Sequence, residues 1–238
     1  MVTQSRESAP GEPTGFLAVP PGQGPWPGVL ILHEGFGLND DIRACTRRLA
    51  ETGYLAFAPD LMTRGSRLRC LARAIRELSA QQGATFDDIE AARRWLLARP
   101  ECGGRIGVIG FCLYGGFALL AAARSGYTVA AANYAQVPAN ADEVLAGICP
   151  VVASYGGRDR TLRGAPDKLE TALTRLGVQH DVHSYPEAGH SFLNQHQPPL
   201  LVRIAAPAGF RAEEAADAWR RIDAFFAEHL APMEGVHQ

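Results

Sequence analysis

"GVIGFCLYGGFALLAAA", residues 107–123, is the stretch on which the fold turns. Its first part, with Ile106, is an apolar run of strand length over Ile106–Gly110. Its last part, near 113–124, is rich in alanine and leucine and reads as a helix. Between them lies a tight turn with glycine on both sides, and Cys112 stands at its apex. A strand that passes straight into a helix is the repeating joint of a parallel sheet, so the flanking sequence should repeat the pattern.

It does. "GVLILHE" (28–34) reads as a buried strand, followed by a helix over 40–52 with Asn39 or Asp40 as its cap. "YLAFAPD" (54–60) is a second strand, and 67–82 and 86–99 are helices. The second of these opens with an acidic turn that suits the helix dipole. Further strands fall at Thr128–Tyr134, Pro150–Tyr155 and His180–Tyr185, with a helix over 165–176 and a closing amphipathic helix over 212–230. Strands that are apolar throughout and separated by helices imply an α/β fold, a mostly parallel sheet covered on both faces. One domain over 15–231 is expected. Residues 1–14 and 232–238, rich in Pro, Gly, Ser and Glu or without periodicity, are expected to be flexible.

Composition narrows the function. At 238 residues with a net charge of −2 the chain has no polyanion-binding signature, so no nucleic-acid partner is expected. No apolar run approaches twenty residues and the start has no signal-peptide pattern, so neither a membrane nor export is expected. Five cysteines without a CxxC pair suit reduced thiols in a cytoplasm. His180, His183 and His196 could suggest a metal together with His190. However, His180 and His183 sit three apart on a strand, facing opposite sides, and no acidic cluster joins them; no metal is expected.

In parallel sheets functional residues gather on loops at the carboxyl ends of strands. Cys112, in "GFCLYGG", has the setting of a nucleophile elbow, where a strained turn lifts a side chain above the sheet at a helix N-terminus. The alternative is a small buried thiol. Asp159 follows the next strand but one in "GGRD", and His190 follows the last in "AGHSF". Nucleophile, acid and histidine then appear in the chain order of the α/β hydrolases. A thiol whose ordinary pKa is about 8.5 needs such a base, and the histidine needs a carboxylate to fix its tautomer.

The motifs "LILHEGFGLNDDIRACTRRLAETGYLAFAPDL", "GRIGVIGFCLYGGFALL", "GGRD" and "AGHSF" together resemble the dienelactone hydrolase family of α/β hydrolases, over roughly 15–230. The resemblance implies Cys112 as nucleophile, His190 as acid and base, and Asp159 as its orienting partner. It also implies that Glu34 lies near the resting thiol. By position the oxyanion donors would be the backbone N–H groups of Leu113 and Gly35. Two departures stand out. Tyr114 replaces a usual glycine, and Asn194 replaces an arginine that grips a substrate carboxylate. Arg64 is one of several arginines where a second such group could fall. Phe36, Arg64, Tyr114, Tyr134 and Asn194 are therefore the candidate substrate contacts, and the Tyr114 ring is expected at the edge of the cavity with its hydroxyl bonded.

The function so implied is hydrolysis of a small ester or lactone through a Cys112 acyl-enzyme, without a cofactor, in a monomer or weak homodimer. A bulky or neutral ester suits the departures. The alternative is a lyase of secondary metabolism on the same fold, with His190 as base for elimination or ring rearrangement. A non-catalytic binding protein is the remote alternative.

Overall fold

The computed structural model describes residues 4–9, 12–124, 126–195 and 208–231. Its strands are β1 (Gln4–Glu7), β2 (Gly15–Val19), β3 (Trp26–Leu32), β4 (Leu55–Pro59), β5 (Cys102–Phe111), β6 (Val129–Asn133), β7 (Val151–Gly156) and β8 (His180–Tyr185). The helices are α1 (Asp40–Glu51), α2 (Arg67–Ala80), α3 (Ala84–Leu97), α4 (Leu113–Arg124), α5 (Ala141–Val144), α6 (Ala165–Arg175) and α7 (Ala212–Leu230).

All eight strands form one sheet in the order β1-β2-β4-β3-β5-β6-β7-β8. From β4 to β8 every neighbouring pair is parallel, while β2 joins β4 and β1 joins β2 antiparallel. Helices α1 and α7 share one face, joined by Arg48–Asp223 at 2.6 Å and by Tyr54 set edge-on to Phe226. Helices α3 and α4 pack together across the sheet from β3 to β6, with α2 against both. Helix α4 is apolar nearly all round because it is covered all round; Tyr114 through Ala122 are all buried. Asn39 caps α1 by accepting from the Ile42 N–H at 3.0 Å.

From β3 the chain moves one way to β4, then crosses back to β5 and continues the other way. The carboxyl ends of β3 and β5 therefore flank the point where strand order reverses, the usual seat of a ligand in an open parallel sheet. His33–Gly37 and Cys112 leave the sheet there.

Two strands precede those read from the sequence. Gln4–Glu7, expected to be unpaired, forms an edge strand in register from Gln4 opposite Val19 to Glu7 opposite Phe16. Its side chains are all exposed, so its sequence is polar and carries no core signal. Arg6 pairs with Glu12 in bidentate fashion at 2.6 and 2.7 Å. His196 and the expected tail at 232–238 lie outside the described residues. Among the described residues no helix is long and apolar enough to cross a membrane.

Candidate active site

The elbow is built from small residues. A Cβ on Gly110 would lie 2.7 Å from the Ala118 Cβ, so only glycine lets α4 fold back this closely on β5. The turn leaves Cys112 at φ 56°, a left-handed conformation costly for a side chain. Its N–H donates to the Asn133 carbonyl at 3.0 Å, which ties the elbow to the end of β6.

Two more loops converge on it. Gly156 and Gly157 end β7 against the loop after β8; a Cβ on Gly156 would sit 2.7 Å from the Ala188 carbonyl oxygen. The N–H groups of Gly157 and Arg158 donate to the Tyr185 and Ala188 carbonyls at 2.8 and 2.9 Å. This contact aligns the acid loop with the histidine loop. His190 Nδ1 lies 2.5 Å from Asp159 Oδ2, and its Nε2 lies 3.1 Å from Cys112 Sγ. Asp159 Oδ1 accepts from the Thr161 N–H and hydroxyl at 2.9 and 2.6 Å, so both of its oxygens are committed.

The charges follow. Burial opposes a proton on His190, but its hydrogen bonds to Asp159 and Cys112 outweigh burial and raise its pKa to about 10. Burial acts on Asp159 in the opposite sense and is likewise outweighed, chiefly by the His190 bond, so its carboxyl lies below the usual range. Both partners therefore favour a proton on His190, which stands between a carboxylate and a sulfur and is a strong acceptor for the thiol's proton.

These side chains open into a cleft of about 400 Å³, lined by Gly35, Phe36, Leu71, Ile75, Cys112, Leu113, Tyr134, Gln136, Thr161, Leu162 and His190. The backbone N–H groups of Gly35 and Leu113 donate to no backbone carbonyl among the described residues. Cys112 is half-buried at this cleft, whereas Cys45 and Cys70 are buried elsewhere. Among the described residues no group of three or more His, Cys, Asp or Glu could hold a metal ion.

The model of the dienelactone hydrolase family matches residues 14–230. The chain belongs to the dienelactone hydrolase family. It is 32% identical to the carboxymethylenebutenolidase of Pseudomonas putida, over 87% of this chain and 92% of that one. The crystal structure of the dienelactone hydrolase-like promiscuous phosphotriesterase P91, from metagenomic libraries, superposes with a TM-score of 0.79 at 26% identity. The match covers 97% of this chain and all of that one. The dienelactone hydrolase of Anabaena variabilis shares the fold, with a TM-score of 0.69 at 21% identity over 97% of this chain and all of that one. Membership gives the class of the enzyme: a hydrolase of ester or lactone bonds.

Three of the expected substrate contacts are placed otherwise. Tyr114 is fully buried and does not line the cleft. Its ring packs between His33, 4.7 Å away and edge-on, and Phe117, stacked at 5.3 Å. Its hydroxyl has no hydrogen-bond partner among the described residues. The expected crowding is absent because the close helix–sheet contacts are made by Gly110 and Gly115, on other faces of the turn; a Cβ on Gly115 would meet the Ala135 Cβ at 2.9 Å. Leu113, one residue earlier, takes the place toward the cleft.

Asn194 is fully buried and is not among the residues that line the cleft. Its Oδ1 accepts from the Tyr134 hydroxyl and its Nδ2 donates to Asp41 Oδ2 at 2.6 Å. Arg64 lies on the surface, in a bidentate pair with Asp88 at 2.8 and 2.5 Å. Phe36 and Tyr134 do line the cleft, and the Tyr134 ring stands 5.1 Å from that of His190.

Glu34 is fully buried, and its Oε1 accepts from the Ser191 hydroxyl at 2.7 Å, next to His190 in the chain. Ser191 and Thr161 are site residues that residue-type reasoning passed over; the serine of "AGHSF" was the available signal. So was His33, whose Nδ1–H donates to the Glu34 carbonyl at 2.7 Å while its Nε2 accepts from the Leu61 N–H at 3.1 Å. Burial pushes its pKa down, and this neutral ring fixes the turn that presents Gly35. Four non-glycine residues among those described have positive φ, and three of them, Cys112, Tyr134 and Ser191, stand here. Strain concentrated at one place is characteristic of a working site.

Proposed function

We propose that this dienelactone hydrolase-family enzyme cleaves an ester or lactone through a Cys112 acyl-enzyme. The observation that carries the reading is the unbroken line Asp159–His190–Cys112, at 2.5 and 3.1 Å, ending at the floor of an apolar cleft. His190 takes the thiol proton, and the sulfur adds to the carbonyl carbon. The oxyanion so formed lies at the N–H groups of Leu113 and Gly35. Its collapse breaks the carbon–oxygen bond, and the leaving alkoxide takes its proton from His190. Water, deprotonated by the same histidine, then cleaves the thioester to acid and free thiol. Asp159 keeps the imidazole in the tautomer that faces sulfur. Glu34, bonded to Ser191, is a positioning group for the histidine loop and the resting thiol. The five free cysteines are in keeping with a cytoplasmic setting.

The test is intact-protein mass spectrometry during turnover of p-nitrophenyl acetate, with a parallel reaction in ¹⁸O-water. A mass gain of one acetyl group on Cys112, lost in Cys112→Ala together with activity, is expected. One labelled oxygen should enter the acid. Activity in Cys112→Ala, or an acid product with no labelled oxygen, would count decisively against hydrolysis through this thiol.

A further inference from the structure

Among the described residues the large apolar side chains left in solvent are Phe36, Leu68, Ile75, Leu97 and Phe210. Two of these belong to α2. Leu68 is 80% exposed and Ile75 51%. With Leu71 they stand at i, i+3 and i+7, so the three share one face of the helix. The helix is docked chiefly by buried Cys70, Ala74 and Leu78, with Leu71 at the margin of the core and Leu68 and Ile75 left outside it. That face is not remote from the chemistry. Leu71 and Ile75 line the cleft with Cys112 and His190. Leu71 also reaches the strand-end turn; a Cβ on Gly35 would lie 3.3 Å from its Cδ1. Leu113 and Leu162 line the same cleft. An apolar track therefore starts beside the nucleophile and runs outward along α2 for about 10 Å, the rise of seven helical residues.

We propose that Leu71 and Ile75, extended by Leu68, form a subsite for an apolar arm of the substrate, a medium-length alkyl chain or an aryl group attached at the scissile ester. The proposal rests on the reading of Cys112 as nucleophile. Its physical basis is that exposed leucine and isoleucine gain by covering, and continuity with the cleft selects a substrate arm as what covers them. The subsite acts by binding and takes no part in bond making.

Two ester series test it, one lengthening the acyl chain on p-nitrophenol and one lengthening the alkyl chain of acetate esters. In one series kcat/KM should rise about two- to fourfold per methylene over the first several carbons. Leu71→Ser with Ile75→Ser should flatten that rise, while Leu97→Ser, on α3 and outside the cleft, should leave it intact. Ile75 and Leu97 are exposed and Leu71 is half-buried, and unchanged melting temperatures would show the fold is kept. A second readout needs no hydrolysis: the rate of Cys112 alkylation by N-alkylmaleimides from methyl to hexyl. It should rise with chain length in the wild type and not in the double variant. Chain-length dependence in alkylation without any ester cleavage would support the subsite and overturn the reading of Cys112 as the nucleophile of ester cleavage. Cys112-dependent cleavage and alkylation that are flat with chain length would overturn the subsite and leave the hydrolase. A rise that survives in the double variant would overturn the subsite as well.

Discussion

At Cys112 the backbone and the side chain have opposed requirements: a left-handed φ that favours glycine, and a sulfur that must face His190. The conflict is met by the close packing of Gly110 behind the turn, so the thiol is held at the cleft. Burial raises the pKa of Cys45, Cys102 and Cys149, the last to about 12, and Cys70 is 1% exposed. Brief treatment with iodoacetamide should therefore alkylate Cys112 first, as read by peptide mass spectrometry; earlier modification of Cys102 or Cys149 would contradict this geometry. Tyr114 makes the contrasting case. Its phenol is pushed to a higher pKa by burial and its hydroxyl has no partner, so the oxygen contributes nothing that the ring does not. Tyr114→Phe should keep kcat and KM and hold or raise stability by roughly 1 kcal/mol, the relief of an unbonded buried hydroxyl. Tyr114→Gly removes the ring from between His33 and Phe117 and should cost about 3–5 kcal/mol in urea unfolding. A loss of activity in the phenylalanine variant, with stability unchanged, would return the hydroxyl to the site.

The loop after β8 is the element on which the site depends most, and its supports come from other elements. Asn194 joins it to Tyr134 at the end of β6 and to Asp41 in the first turn of α1, while the Gln195 N–H donates to Asp41 Oδ1 at 3.1 Å. Asn194→Ala breaks both side-chain links at once. With a hydrogen bond to a charged group worth about 1.5–3 kcal/mol, kcat should fall about tenfold while KM moves less than twofold. A rise in KM with kcat unchanged would instead make Asn194 a substrate contact. None of this brace was legible in the sequence, because Asp41 and Asn194 lie 153 positions apart and each is an ordinary polar residue until the fold pairs them. What was legible were features with a local cause. The strands β3 to β7 carry their own apolar runs, and Cys112, Asp159 and His190 each follow a strand within a turn that glycine permits. By contrast β1 is an exposed edge whose polar side chains obey no core pattern. Tyr114 departs from the sequence expectation because the direction of a side chain in the first turn of α4 depends on where that helix lies over β5 and β6. That placement is set by Gly110 and Gly115, not by the tyrosine.

At the scale of the whole molecule, the sheet gathers residues from five neighbouring strands at one edge: Gly35 after β3, Cys112 after β5, Tyr134 after β6, Asp159 after β7 and His190 after β8. Such an edge couples the site's protons to the stability of the entire fold. An unfolded histidine titrates near 6.5. The folded value of about 10 for His190 means the native state binds its proton more tightly, so this contribution is fully present below about pH 6.5 and is lost as pH rises toward 10. The thiol would confuse the proton count, so the comparison belongs in a Cys112→Ala background, where Asp159 alone holds the imidazolium and the upper end of the window falls below 10. Urea unfolding of Cys112→Ala and of Cys112→Ala with His190→Gln, from pH 6 to 10, gives the difference that His190 makes. That difference should shrink with rising pH by at most about 1.4 kcal/mol per unit, and only within the window. A difference that stays flat, or grows, would mean that the folded protein holds His190 as a neutral ring, and the carboxylate of Asp159 would then be orienting the imidazole without charging it.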